Sequence, residues 1–214
     1  MTIAAIAVAG LFASACTGSS TGGKGSAASS GSAPPESSTA TPVSGGTVTE
    51  AVQGLASLDP QGVDAQDPGT GTVAKAVFSR LVTLGDDNSF QPQLATKWTT
   101  SADGLTWTFD LNPAAKFSDG TPVTANDVKA SIERVIDLKG VNASLFTPIS
   151  SVTATDTNTV TMTTKAPLAT MLDNLTLLYI GPADRINQAD FWNKPVGSGP
   201  FTVSSFAVRN KVVL

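Results

Sequence analysis

The strongest constraint on the fold is the stretch Gly104–Ile136, where three different local patterns follow one another directly. Thr106–Leu111 alternates polar and apolar residues, which puts Trp107, Phe109 and Leu111 on one face of a strand. Asn112-Pro113 ends that run, and Ser118-Asp119-Gly120-Thr121-Pro122 is a turn by composition. Thr124-Ala125-Asn126-Asp127 then opens a helix. Thr124 is placed to accept from the Asp127 N–H, and the Asp127 carboxylate to accept in return, Asp standing in for the usual Glu or Gln. Val128, Ile132, Val135 and Ile136 follow at i, i+4, i+7 and i+8, a single apolar stripe. The stretch predicts a mixed α/β unit with one buried face.

Two absences narrow the chemistry. The chain of 214 residues has no His and one Cys, Cys16. A Ser-His-Asp triad, a Cys-His pair, a zinc site of Cys or His ligands and a His-ligated haem are therefore excluded within it, as is an intrachain disulfide. Carboxylate-only chemistry and oxygen-ligand metal binding survive that cut. A net charge of −4 with no run of Lys and Arg argues against a nucleic-acid partner, which needs a basic face for phosphates.

The N-terminal part reads as three segments. Ile3–Ala15 is apolar and small, too short to span a membrane and suited to a signal-peptide core. It ends in Ala13-Ser14-Ala15-Cys16, which resembles a lipobox, although Ala13 replaces the commoner Leu and no Lys or Arg precedes the apolar run. Residues 1–16 are thus expected to be a lipoprotein signal with Cys16 as the lipidation site, the alternative being a plain secretory signal. Residues 17–45 are Ser, Thr, Gly, Ala and Pro with only Lys24 and Glu36 charged. Such a segment cannot recover the entropy of ordering and is expected to be a flexible tether spanning roughly 30 Å.

Residues 46–214 carry the folding patterns. Thr47–Val52 predicts a first strand, and Leu55–Pro60 a turn ending in Asp59-Pro60. Val73, Val77, Leu81 and Leu84 predict a helix over Thr72–Leu84. Ser151–Thr155 and Thr159–Thr164 predict two strands joined at Asp156-Thr157-Asn158, an Asx-type turn, with one face of the second strand wet. Pro167–Leu178 predicts a helix packed by Leu168, Met171, Leu172 and Leu175. Around Ser198, Gly197 and Gly199 permit close approach of a ligand or another chain segment, the structural reading being favoured. Trp98 and Trp107 are expected in the core rather than on an aromatic binding surface. Lys211–Leu214 looks like the beginning of another strand.

The segments Asp103–Phe109, Ala115–Val128 and Ser131–Val135, with Ser57–Pro60, Pro92–Trp98 and Pro195–Phe201, closely resemble the solute-binding family of periplasmic oligopeptide and dipeptide receptors of ABC importers. The resemblance covers roughly Gly46–Leu214; Asn112 stands where the family usually has Lys or Arg. It implies a partial periplasmic-binding-protein-like fold (class II, peptide-binding type), with the N-terminal lobe and its subdomain and without the second lobe. It also implies a receptor with no catalytic residue, no metal and no cofactor, working as a monomer. The family touches its ligand with the loop before the "SLDP" turn, and Gly54, Leu55 and Ala56 occupy those positions. The implied partners are a peptide or small solute, ABC permease subunits and the membrane through the lipid anchor, on the outer face of the cell membrane. Two alternatives stand beside it. One is a truncated, non-functional product of such a gene. The other is a cell-envelope hydrolase using two carboxylates, with Asp59, Asp119 and Asp127 as candidates.

Overall fold

The computed structural model describes residues 45–214; the expected signal segment, the expected lipidation site Cys16 and all but the last residue of the expected tether lie outside them. The strand expected from the alternation at Thr106–Leu111 forms there as β4, and four strands make the main sheet. Its order is β3 (Ala95–Thr100), β4, β6 (Thr159–Thr164), β5 (Ile149–Ala154), antiparallel throughout. Phe109 faces Val160 on one side and Trp98 on the other, and Trp107 faces Met162. Phe109, Leu111, Val160 and Met162 are buried, while Trp98 and Trp107 pack half-buried against the same core, as expected. On the opposite face Thr99, Thr108, Thr161 and Thr153 stand in register across all four strands, the wet face that the alternation predicts.

Helix α2 (Ala125–Asp137) lies on the buried face and supplies Val128, Ile132 and Val135 to the core. Its start is fixed as the sequence suggests. The Asp127 carboxylate accepts from the Thr124 N–H at 2.8 Å and from its hydroxyl at 2.7 Å. Its second oxygen accepts from the Ala183 N–H at 2.8 Å, so one buried acid also fastens the 182–183 loop to the helix. The turn between β5 and β6 is closed by the Asp156 carboxylate, which accepts from Asn158 N–H at 2.7 Å.

A second core gathers around α1 (Pro68–Val77): Leu55, Leu58, Val73, Val77, Phe78, Ile186, Phe191, Trp192 and Val203. Here one expectation is corrected. The helix expected over Thr72–Leu84 begins four residues earlier, because Asp67 caps it and Pro68 sits at its first position. It also ends at Val77. The carbonyls of Ala76 and Val77 accept from Phe201 and Gly199 at 3.1 and 2.8 Å, and Arg80 N–H turns to the Gln93 side chain, so the helical ladder has no continuation. Residues beyond Phe78 run extended into β1 (Val82–Leu84), paired with β2 (Phe90–Pro92).

The strand expected at Thr47–Val52 is absent. No described strand runs beside it, and Val48 is 94% exposed, so the alternation has no face to bury. The helix expected over Pro167–Leu178 shrinks to α4 (Met171–Leu175). Its following N–H groups, from Thr176 to Leu178, take i→i+3 bonds that tighten the chain out of the α ladder.

Three smaller elements complete the fold: α3 (Ala143–Phe146), a 3-10 turn at Ala189–Asn193, and the hairpin β7 (Ser205–Ala207) with β8 (Lys211–Val213). The last of these is the strand anticipated at the C-terminal end of the sequence.

Candidate ligand-contact site

The loop Gly54–Ala56 enters the second core directly ahead of α1. Gly54 and Leu55 both adopt left-handed backbone conformations, with φ of +82° and +80°. Two successive residues of this kind turn the next N–H groups to one side. The N–H groups of Leu55 and Ala56 converge on one oxygen of Asp67, at 2.6 and 2.9 Å. The other oxygen accepts from Gly69 N–H at 3.0 Å and caps α1. Gly54 has to be glycine: a Cβ there would lie 1.7 Å from the Asp67 carboxylate. Leu55 has no such freedom, and a side chain at positive φ costs on the order of 1 kcal/mol. Burial of that side chain in the core and a bond from Arg209 N–H to its carbonyl at 2.9 Å offset the cost.

The Asp67 carboxyl is held below the ordinary aspartate range. The Ala56 N–H contributes most, followed by those of Gly69 and Leu55 and by the charge of Arg209, against the opposing effect of burial. The loop is therefore a rigid object. The Leu55 side chain points into the core, and its N–H and C=O are both engaged. What the loop leaves exposed is Gly54, with Ala56 half-buried beside it.

The turn that follows is clamped to α2 by an ion pair that sequence reasoning did not find. Arg134 donates through Nη1 to Asp59 Oδ1 at 3.0 Å and through Nη2 to Oδ2 at 2.6 Å. Nη1 also reaches Gln61 Oε1 at 3.1 Å, and the guanidinium lies 4.7 Å from the centre of the Trp192 ring. Both charged side chains are largely buried, at 7% and 13% exposure. A two-pronged pair supported by a further bond to Gln61 is a geometry in which a buried charge is tolerated. The sequence held one signal for it. Arg134 falls beside the apolar stripe of α2, where a buried cation needs an acid to meet it.

The other two candidate acids are also committed to partners in their own surroundings. Asp119 accepts from the Thr121 hydroxyl and N–H at 2.6 and 3.0 Å and from Arg185 at 2.7 Å. These partners, the Thr121 hydroxyl foremost, lower its pKa to about 2. Asp127 is the helix cap described above. Asp59, Asp119 and Asp127 thus sit in three separate hydrogen-bond sets with no bond between them.

The glycines around Ser198 serve the backbone of α1: a Cβ on Gly197 would lie 2.0 Å from the Val77 carbonyl, and one on Gly199 2.5 Å from that of Ala76. The Ser198 carbonyl accepts from the Ser79 hydroxyl at 3.0 Å. Close approach of another chain segment is what these positions show.

Comparison with known proteins places this arrangement. A protein of Escherichia coli (strain K12) named "Probable D,D-dipeptide-binding periplasmic protein DdpA" is 36% identical over 173 residues, covering 73% of this chain and 34% of that protein. Among solved structures, the binding protein MoaA of A. tumefaciens R10 in complex with mannopinic acid superposes with a TM-score of 0.66 at 30% identity, over 76% of this chain and 35% of that one. The substrate-binding domain of an oligopeptide ABC transporter from Bacillus anthracis gives 0.69 at 20% identity, over 77% and 36%, a likeness of fold alone. The chain thus spans about a third of the length of these relatives, and its fold is part of the periplasmic-binding-protein-like fold. Residues 89–214 match the family described as bacterial extracellular solute-binding proteins, family 5 Middle. On these grounds the chain belongs to the family 5 bacterial extracellular solute-binding proteins.

Proposed function

We propose that this chain forms part of the ligand-binding half of an ABC-importer receptor, capturing peptides or related small solutes outside the membrane and delivering them to the permease. The observation that carries the reading is the family match over residues 89–214, joined to a hydrogen-bonded loop at Gly54–Ala56 that leaves Gly54 exposed. The relatives' names support the solute class: one names a D,D-dipeptide and one mannopinic acid. In this reading the opposite wall of the cleft is supplied by a second lobe. Capture needs no nucleophile, and the engagement of Asp59, Asp119 and Asp127 in structural bonds favours a non-catalytic receptor. Lipidation of Cys16 holds the receptor, a monomer on the tether 17–45, at the outer face of the membrane.

Photo-crosslinking tests the reading with the chain as it is. A diazirine-bearing tripeptide at millimolar concentration is expected to label Gly54–Ala56 above all other segments, as mapped by mass spectrometry. Labelling spread evenly over the surface would sink the assignment. In the same cells, labelled palmitate is expected to enter the chain and to be lost in Cys16→Ser; incorporation that survives the substitution removes the anchor.

A further inference from the structure

Four arginines lie among the described residues, and they differ in what balances their charge. Arg134 and Arg185 each meet carboxylates, and Arg209 is exposed to water. Arg80 is mostly buried, yet no described carboxylate lies within 4.0 Å of it.

The Arg80 head is nevertheless firmly oriented. Nη1 donates to the Thr176 carbonyl at 3.1 Å and Nη2 to the Thr83 hydroxyl at 2.9 Å, while the guanidinium lies 5.7 Å from the centre of the Tyr179 ring. Nε–H is buried with no partner. Two of the five N–H donors are used, both on neutral acceptors. A guanidinium withdrawn from water in this way has lost hydration that neutral acceptors restore only in part. Its ordering has already been met by Thr176, Thr83 and Tyr179, so an arriving anion gains the pairing without that cost. The planar fork matches a group with two coplanar oxygens.

We propose that Arg80 is the anchoring residue of a carboxylate subsite, with Thr83, Thr176 and Tyr179 as its positioning shell, and that the solute it takes is a small carboxylic acid or a peptide presented by its carboxylate. That the carboxylate belongs to a captured solute rests on the receptor reading; the subsite itself does not.

The test is a nitrogen-15 NMR titration of the full 214-residue chain, following the arginine Nε–Hε signals. Arg80 is identified by the signal lost in Arg80→Lys, and Arg134 serves as the internal reference. Acetate, added at constant ionic strength against chloride, is expected to move the Arg80 signal along a saturable curve with a millimolar dissociation constant while Arg134 stays in place. Arg80→Lys keeps the charge but not the fork; a thermal melt checks that it folds, and its acetate affinity, read from backbone amides around Thr83 and Thr176, is expected to fall about tenfold. A drift identical for acetate and chloride, equal affinity in Arg80→Lys, or tighter binding of inorganic phosphate than of acetate would each overturn the proposal. Saturable acetate binding in a chain that captures no photo-reactive tripeptide keeps the subsite and sinks the receptor reading. Tripeptide capture with an unmoved Arg80 signal does the reverse.

Discussion

Asp59 and Arg134 show how far a residue's role is set by what meets it across the fold. Asp59 reads in the sequence as a turn former, and it is one: its Oδ1 accepts from Gln61 N–H at 3.0 Å. The same carboxylate also neutralises a buried arginine from another element, and nothing local to Asp59 announces that. Removing one member of such a pair leaves an uncompensated charge and typically costs about 3–5 kcal/mol. Arg134→Met is therefore expected to lower the urea midpoint strongly, with the double variant Asp59→Leu/Arg134→Met more stable than the single one. Independent additive losses in that cycle would show the pair to be uncoupled.

Asp119 carries a pH signature of opposite character. Its folded-state pKa, about 2, lies below the ordinary 3.8. The stability it contributes is therefore complete above 3.8 and is lost as the pH falls through 2. The melting-temperature gap between the parent chain and Asp119→Asn is expected to be constant from pH 7 to 5 and to narrow between pH 4 and 2. A gap that widens on acidification would contradict the assignment.

At the scale of elements, what was legible was what local rules decide. The strand β4, the Ser118–Pro122 turn and the start of α2 follow from alternation, turn composition and capping, all settled within a few residues. The extent of α1 was not legible. Its end is imposed by Gly199 and Phe201, whose N–H groups take the carbonyls that would have carried the helix on. The strand expected at Thr47–Val52 failed for the converse reason: its alternation is real, but no neighbour supplies a ladder. The Arg134 clamp escaped because its partner lies in a distant turn.

Two glycines near α1 put this contrast to measurement. A Cβ on Gly71, inside the helix, meets nothing within 4 Å, so Gly71→Ala is expected to stabilise by about 0.5–1 kcal/mol. On Gly197 the same Cβ would meet the Val77 carbonyl at 2.0 Å, so Gly197→Ala is expected to lower the melting temperature by several degrees. Thermal melts of the two variants shifting in the same direction would refute the close packing of residues 197–199 on α1.

At the scale of the molecule, the two cores divide the work. One holds the sheet under α2; the other holds α1, the loop Gly54–Ala56 and the strap 195–203. The family was legible mainly from the first core, because most of its signature segments are scaffold there. The candidate site belongs to the second, where the sequence supplied positions but not the Asp67 nest that shapes them. The bond from Arg209 N–H to the Leu55 carbonyl adds a matter of timing. It joins residues about 150 positions apart, the kind of contact that forms late because so much chain must first be brought together. A nascent chain emerging from its N-terminus can therefore build the sheet and α2 while Leu55 still lacks its last tether. The loop proposed to meet the solute is therefore completed only once the β7–β8 hairpin has reached it.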